Sequence, residues 1–349
     1  MKRFYQLTNF GLALSLSAFI LIPGYSNPKN NPAKAATVIK SAPLTMADDM
    51  AMLPASDAIA VVDVARAMNE VLPQIRGMYP DGIAKFEKEL NDFIGKTGID
   101  IYKIKSAVIG VNMSGKSNGG AAIIQGLTFD LNRISAALKE KKDGKESKTE
   151  INTLDYKGKQ LFVVVTKKAG KAGIDEDMAF TQVDAERVAV GTISGVKGVL
   201  DGGSGTVNAQ LSELLSKTGT GFIRFAANLP ESAKQGISEQ GDLFKQFSTI
   251  KTVFGSLDMT SDLTVLLDAK MRTGSSDEAS KLQTSLAGLV GMGKMFLGGN
   301  SDPQMKAINE LLDLIKIGAQ DSDVSLSLTV PRKVFDMLSE TGKKSKTAK

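Results

Sequence analysis

Ile-Lys-Ser-Ala-Val-Ile-Gly-Val-Asn-Met-Ser occupies residues 104–114, and Ile-Lys-Thr-Val-Phe-Gly-Ser-Leu-Asp-Met-Thr occupies residues 250–260. The two stretches align without a gap at an offset of 146. Ile104, Lys105 and Met113 return as Ile250, Lys251 and Met259, and Ser106, Asn112 and Ser114 return in kind as Thr252, Asp258 and Thr260. Each stretch is apolar enough for a half-buried strand and ends on polar residues that suit a bend. A second apolar run follows each one, at Gly120–Thr128 and at Leu263–Met271, so each reads as the first half of a hairpin. Alternating strands resemble one another by chance, so the case for a duplication rests on element order beyond the aligned residues.

That order agrees outward from the pair. In the first module a buried-type strand at Ala58–Val64 leads into a helical stretch from Ala65 to Gly77. Tyr79-Pro80-Asp81-Gly82 carries turn chemistry, and a helix over Ile83–Ile94 ends at Gly95 and Gly98. Asp130 is placed to cap a helix whose Leu131, Ile134 and Leu138 share a face. Four further strands are expected at 150–156, 160–166, 178–183 and 187–193, with Ser194 capping a last short helix that ends at Asp201. In the second module the opening strand is 221–226, and Leu243–Phe247 lies in the connecting helix. Ser276 or Asp277 caps a long helix that Gly288–Gly299 interrupts or bends. A helix over Pro303–Leu314 precedes strands at 315–319 and 324–330, and Pro331 opens a final turn. The expected fold is α+β: two tandem, duplicated modules of antiparallel sheet with helices packed on one face.

The chain of 349 residues contains no His, Cys or Trp. Without His the usual general base, the Ser-His-Asp arrangement and the commonest zinc ligand are gone. Without Cys there are no disulfides and no thiolate chemistry. Lys2 and Arg3 precede an apolar run from Phe10 to Pro23, the layout of an export signal. The expected division is a signal over 1–35, or cleavage after 26, then a linker over 36–52 and a first module over 53–201. A junction over 202–206, a second module over 207–338 and a basic tail over 339–349 complete it. Residues 1–35 hold four cations and no acid, so removing them lowers the net charge from +5 to +1. The remaining Lys runs, 139–148 and 343–346, have no aromatics between them and suit solvated loops, not nucleic acid.

Several motifs imitate catalytic sites. Gly110, Gly115, Lys116 and Ser117 complete the phosphate-loop pattern, but the mechanism needs a helix next, whereas Ala121–Ile124 reads as strand. The aligned second module has no Gly-Lys at that bend, so we take the motif as a Gly-rich hairpin turn and assign no cofactor. Ser194-Gly195-Val196-Lys197 and Lys217-Thr218-Gly219 imitate two elements of the serine penicillin-recognising enzymes. The intervening Ser-Asp-Asn element is missing, and an N-capped helix and a helix C-cap account for both. Met46, Met50 and Met52 with Asp48 and Asp49 offer metal-ligating atoms but sit in the expected linker, so no metal site is assigned. The acids Asp175, Glu176 and Asp177 share a loop with Lys167, Lys168 and Lys171, which is a solvated mixed-charge loop. Gly288, Gly291 and Gly293 do not complete a dinucleotide fingerprint, and the neighbouring Met292, Met295 and Phe296 are expected in the core, the alternative being an adaptable apolar contact surface.

Thr97-Gly98-Ile99-Asp100 followed by the strand Ile104–Val111 resembles a loose class of exported bacterial proteins of unknown function. Tyr156-Lys157-Gly158 and the Val188–Gly191 strand before Ser194 extend the resemblance over the first module. It implies export and an α+β sheet, and carries no catalytic residues. The functional expectation is a non-enzymatic envelope protein, periplasmic or extracellular, that binds or scaffolds an unknown protein or apolar ligand. Contact with membrane would come through residues 7–23 where the signal is retained. The alternatives are a periplasmic carrier of lipid or another apolar molecule, and a hydrolase using Asp, Glu, Ser or Lys.

Overall fold

The computed structural model describes residues 46–113, 119–139, 149–166, 178–203, 207–238, 242–298 and 303–337. The fold is α+β, and the strands paired within each unit described below run antiparallel. Among the described residues, 46–68 and 85–212 form one compact unit, and 69–84 with 213–337 form a second. The division departs from the expected modules at both edges. Residues 69–84 join the second unit, where the Tyr79 hydroxyl donates to the Phe335 carbonyl at 3.2 Å. Residues 207–212 join the first.

The first unit opens with helix α1 (Ala47–Met52), where a linker was expected. Met46, Met50 and Leu53 fall at helical spacing along it, and distant partners order it. Asp49 is buried and accepts from Arg187 Nη1 at 3.2 Å and Gln125 Nε2 at 2.6 Å. Asn208 Nδ2 donates to the carbonyls of Met50, Leu53 and Pro54 at 3.0–3.2 Å, while its Oδ1 accepts from Ser56 N. Gly203, at φ +70, lies so close to the Ala51 carbonyl and Met52 that any side chain there would overlap backbone.

The unit's sheet uses β1 (Ala58–Val62), β2 (Ser106–Asn112), β3 (Gly119–Gln125), β4 (Thr149–Tyr156), β5 (Lys159–Thr166), β6 (Met178–Gln182) and β7 (Arg187–Thr192). Their order is β1-β2-β3-β7-β6-β5-β4. Helix α2 (Val64–Arg66) starts at a cap formed by Asp63 and runs into a π turn over Ala67–Val71. It continues as α3 (Leu72–Met78). Pro80 then opens helix α4 (Pro80–Thr97), which corrects the expected turn: a proline lacks the N–H that a first helical residue leaves unused. Gly95 sits within α4, and Gly98 at φ +74 ends it. Asp130 caps α5 (Leu131–Lys139) as expected, accepting from Asn132 N at 2.9 Å. Helix α6 (Ile193–Leu200) is capped by Thr192 and not by Ser194, since the Thr192 hydroxyl accepts from Gly195 N at 3.1 Å. Its Gly195 rests on Gly120 of β3 so tightly that a methyl group would overlap the Gly120 carbonyl.

Helix α7 (Val207–Ser216) leads to the second sheet: β8 (Ile223–Asn228), β9 (Thr252–Met259), β10 (Val265–Arg272), β11 (Ile315–Gln320) and β12 (Asp323–Val330). Their order is β8-β9-β10-β12-β11. Helix α8 (Glu231–Ser238) and a 3-10 stretch over Asp242–Thr249 connect β8 to β9. Ser275 caps α9 (Ser276–Leu297), one residue before the expected position, and the helix runs through Gly288, Gly291 and Gly293 without interruption. Helix α10 (Pro303–Leu314) follows. Ile250, Met271, Leu282 and Val324 build the core that α9 closes.

The aligned stretches occupy matching places. The N–H groups of Ile104 and Ile250 each close a 3-10 turn on the residue three before them. Lys105 N donates to Gln125 O and Lys251 N to Arg272 O, while their own carbonyls accept from Ala65 N and Leu229 N. Ser106 and Thr252, the first residues of β2 and β9, are both buried, and neither hydroxyl has a partner.

Candidate functional site

The first unit carries an open groove of about 780 Å³ between the start of α5 and the strands β5 and β6. Chain order hides it, because its walls come from residues 129–131, 158–162 and 181–185. Sheet order brings them together: β5 and β6 are neighbours, and Phe162 stands opposite Phe180 in their register. Gly126 at φ +80 turns the chain after β3, and its N–H is held by the Glu186 carbonyl at 2.9 Å. That turn delivers Phe129 edge-on to Phe180 (centroids 5.1 Å, 87°) and to Phe162 (6.0 Å, 76°). Phe162 and Phe180 are themselves 5.4 Å apart. Edge-to-face pairs of this kind add about 0.5–1.5 kcal/mol each beyond buried area.

Polar groups ring this aromatic floor and are already engaged. Lys159 Nζ donates to the Val183 carbonyl at 3.1 Å. Thr181 donates to Gln160 O at 2.8 Å, and Gln182 Nε2 donates to the carbonyls of Asp184 and Arg187. Asp184 accepts from Arg187 Nε at 2.6 Å and from the N–H groups of Glu186 and Arg187, both at 3.0 Å. Burial pushes its carboxyl up, but the Arg187 and backbone hydrogen bonds outweigh burial and hold it below the usual carboxylate range. Asp130 is occupied as the α5 cap. The groove thus offers aromatic surface and fixed hydrogen-bonding edges, with its carboxylates held in hydrogen bonds.

Beside it, the β4–β5 turn follows the expected hairpin, with Lys157 at φ 50 and Gly158 at φ 74. Tyr156 donates to Asp201 at 3.0 Å, Lys157 Nζ lies 2.5 Å from the same carboxylate, and Lys197 Nζ stands 5.1 Å from the Tyr156 ring centre. Hydrogen bonds from Lys157 and Tyr156 lower the Asp201 pKa. This clasp fastens the hairpin to the end of α6.

The motif residues scatter. Gly110 lies within β2, opposite Ala121, and the next described element after it is the strand beginning at Gly119. Gly115, Lys116 and Ser117 lie outside the described residues, as do the acids at 175–177, their loop lysines, 1–45 and 338–349. Ser194 sits in the first turn of α6 with its Oγ 3.2 Å from the Thr192 hydroxyl, while Lys197 faces Tyr156. Lys217 pairs with Glu213 at 2.6 Å at the end of α7. Asp49 is taken by Arg187 and Gln125, and Met52 Sδ lies 3.1 Å from Arg187 Nη1. Among the described residues no three His, Cys, Asp or Glu side chains gather to hold a metal. Met295 and Phe296, expected in the core, are 83% and 85% exposed. The sequence reading missed the Phe trio; its visible sign is an aromatic in each of two neighbouring strands, at Phe162 and Phe180.

No family model matches the chain, and no curated protein matches it. Among solved structures, crystal form III of TP0453 is similar at 8% identity and a TM-score of 0.43, covering 83% of this chain and 97% of that one. Crystal form I of TP0453 is similar at 8% identity and a TM-score of 0.39, covering 86% of this chain and 98% of that one.

Proposed function

We propose that this chain is an exported, non-enzymatic envelope protein whose first unit binds a protein partner through the aromatic groove. The observation that carries this reading is a groove floored by the half-buried Phe129 and the buried Phe162, with Phe180 packed against both, beneath a rim of satisfied polar groups. Aromatic anchors ringed by hydrogen-bonding edges characterise protein-binding surfaces. The charged rim side chains are committed to structural bonds, which suits recognition better than proton transfer. Export is supported by the Lys2-Arg3 and Phe10–Pro23 pattern. We further read the two modules as copies of one ancestral unit, supported by the matched hydrogen bonds of Lys105 and Lys251. In more distant relatives of the same architecture, the match between residues 104–114 and 250–260 should persist; loss of any excess over unrelated strand pairs removes that reading.

The binding reading is tested by placing a photo-crosslinking amino acid at Gln160, an exposed groove residue, in cells that produce the full chain. Lys88, exposed on α4, serves as the control position. A discrete adduct from Gln160 alone supports a partner at the groove. Adducts from both positions or neither, or substrate turnover abolished by one Asp, Glu or Ser substitution, overturns it.

A further inference from the structure

We propose that the outer face of α9 is an isologous contact between two copies of this chain. Ala279 and Leu282 of this helix are fully buried in the second core, so one face is spoken for. On the other, Ala287, Gly288, Gly291, Met292, Met295 and Phe296 are all exposed and fall at helical spacing. The stripe has no polar side chain. Met295 and Phe296 are 83% and 85% exposed, far beyond the scattered apolar exposure ordinary for a surface. Gly288 and Gly291 have open space where a side chain would stand.

The face is graded from small to large along its length, and this gradient selects the partner. At about 100° per residue, Gly288, Gly291 and Met295 lie near its centre line, with Ala287 on one flank and Met292 and Phe296 on the other. A second copy running antiparallel, with the two-fold axis between Gly291 and Met292, sets Met295 of each copy at the level of Gly288 of the other. Gly291 then meets Gly291, which lets the backbones approach closely, and Phe296 covers the rim. A parallel pair would place Met295 on Met295 and leave the glycines facing each other over a gap. Lys294, the cation of this half of the helix, is already paired with Asp313 at 2.8 Å, so no like charges confront each other across the axis. With Met292 only 38% exposed, the stripe in two copies buries at most on the order of 1,000 Å², the lower bound for a specific interface. The contact is therefore a weak dimer.

The absence of cysteine makes the test clean. Single Met292→Cys and Thr284→Cys variants of the full chain are oxidised at moderate concentration. Position 292 adjoins the axis, within the Cα span of about 4.4–6.8 Å that a disulfide needs. Position 284 is equally exposed on the same helix but remote from the axis. Disulfide dimers at 292 and none at 284 are expected. In sedimentation velocity, Gly288→Met and Met295→Ala should each weaken the dimer by roughly tenfold or more. The double variant, which exchanges knob and hole, should recover it. Gly288→Met raises helix propensity, so its loss of dimer is not a folding failure. Three outcomes overturn the proposal. One is a wild-type chain that stays monomeric at high concentration, and another is equal cross-linking at 284 and 292. The third is a monomer that binds phosphatidylcholine vesicles more tightly as Gly288→Met adds apolar area, which would make the face a lipid-contact surface.

Discussion

At the middle of β2 the buried side chain is Val108; at the matching place in β9 it is Phe254. The rows they head differ more than the residues do. Across the first sheet, Val61, Val108, Ile123 and Ala189 stand side by side in register, all buried. Across the second, Phe254 stands between Ala226 and the exposed Lys270, with Arg272 placed 5.7 Å from its ring centre. One row spreads burial over four aliphatic side chains, and the other sets a single large ring beside the small, buried Ala226. Identical backbone hydrogen bonding at Lys105 and Lys251 thus supports two different packings. Backbone pattern and core volume are separate choices.

The sharpest test is truncation of both positions. Phe254→Ala should cost about 3–5 kcal/mol in urea unfolding, because its neighbours in the row are too small or too polar to close the cavity. Val108→Ala should cost about 2 kcal/mol, with Ile123 and Val61 limiting the void. Equal losses would show that both rows share their burial alike.

A second contrast lies in the ion pairs. Arg187 reaches the buried Asp49, whereas Arg272 grips Asp323 with two hydrogen bonds of 2.8 and 2.9 Å nearer to solvent. Arg187→Gln should destabilise by about 3 kcal/mol, since it leaves the buried Asp49 carboxylate with the Gln125 amide but no counter-charge. Arg272→Gln should cost less and show a pH signature. Its hydrogen bond lowers the Asp323 pKa, so the folded state binds that proton more weakly than the unfolded chain. The stabilisation is complete above the unfolded carboxyl value of about 4 and is lost as pH falls through the lower folded one. The gap between wild type and Arg272→Gln, measured by urea unfolding from pH 7 to pH 2, should therefore narrow on acidification. A gap that stays constant would remove the pair as its source.

The smallest effect tests what the units share. Thr252→Val and Ser106→Ala each remove a buried hydroxyl without a partner and should stabilise by up to about 1 kcal/mol. A loss from either would reveal a bound water or a hidden bond at that position.

Hairpins and most helices were legible because their signals are local. Short apolar runs mark β2 and β9, Asp130 marks the start of α5, and Lys157-Gly158 marks a two-residue turn. What escaped depends on distant partners. Helix α1 is held by Asn208 and Arg187, more than 130 residues away along the chain. The turn signal at Tyr79-Pro80 is equally the start of a helix, and only the neighbouring structure decides between them. Met295 and Phe296 carry the composition of a core, yet burial is a property of what lies opposite, which no single helix records. The groove is invisible for the same reason, since Phe129, Phe162 and Phe180 meet only once β5 and β6 are neighbours.

Asn208 also sets a clock. The bond from Ser56 to its side chain spans 152 residues. A chain made from its N-terminus cannot seat residues 50–56 until that asparagine has been added. At about 5–20 residues per second the wait is roughly 8–30 s. Throughout that interval the start of the first sheet has no lock, and long-range closure of this kind is intrinsically slow. The last helix of the first unit is therefore also its latch, and the nascent chain remains open to chaperones until it closes.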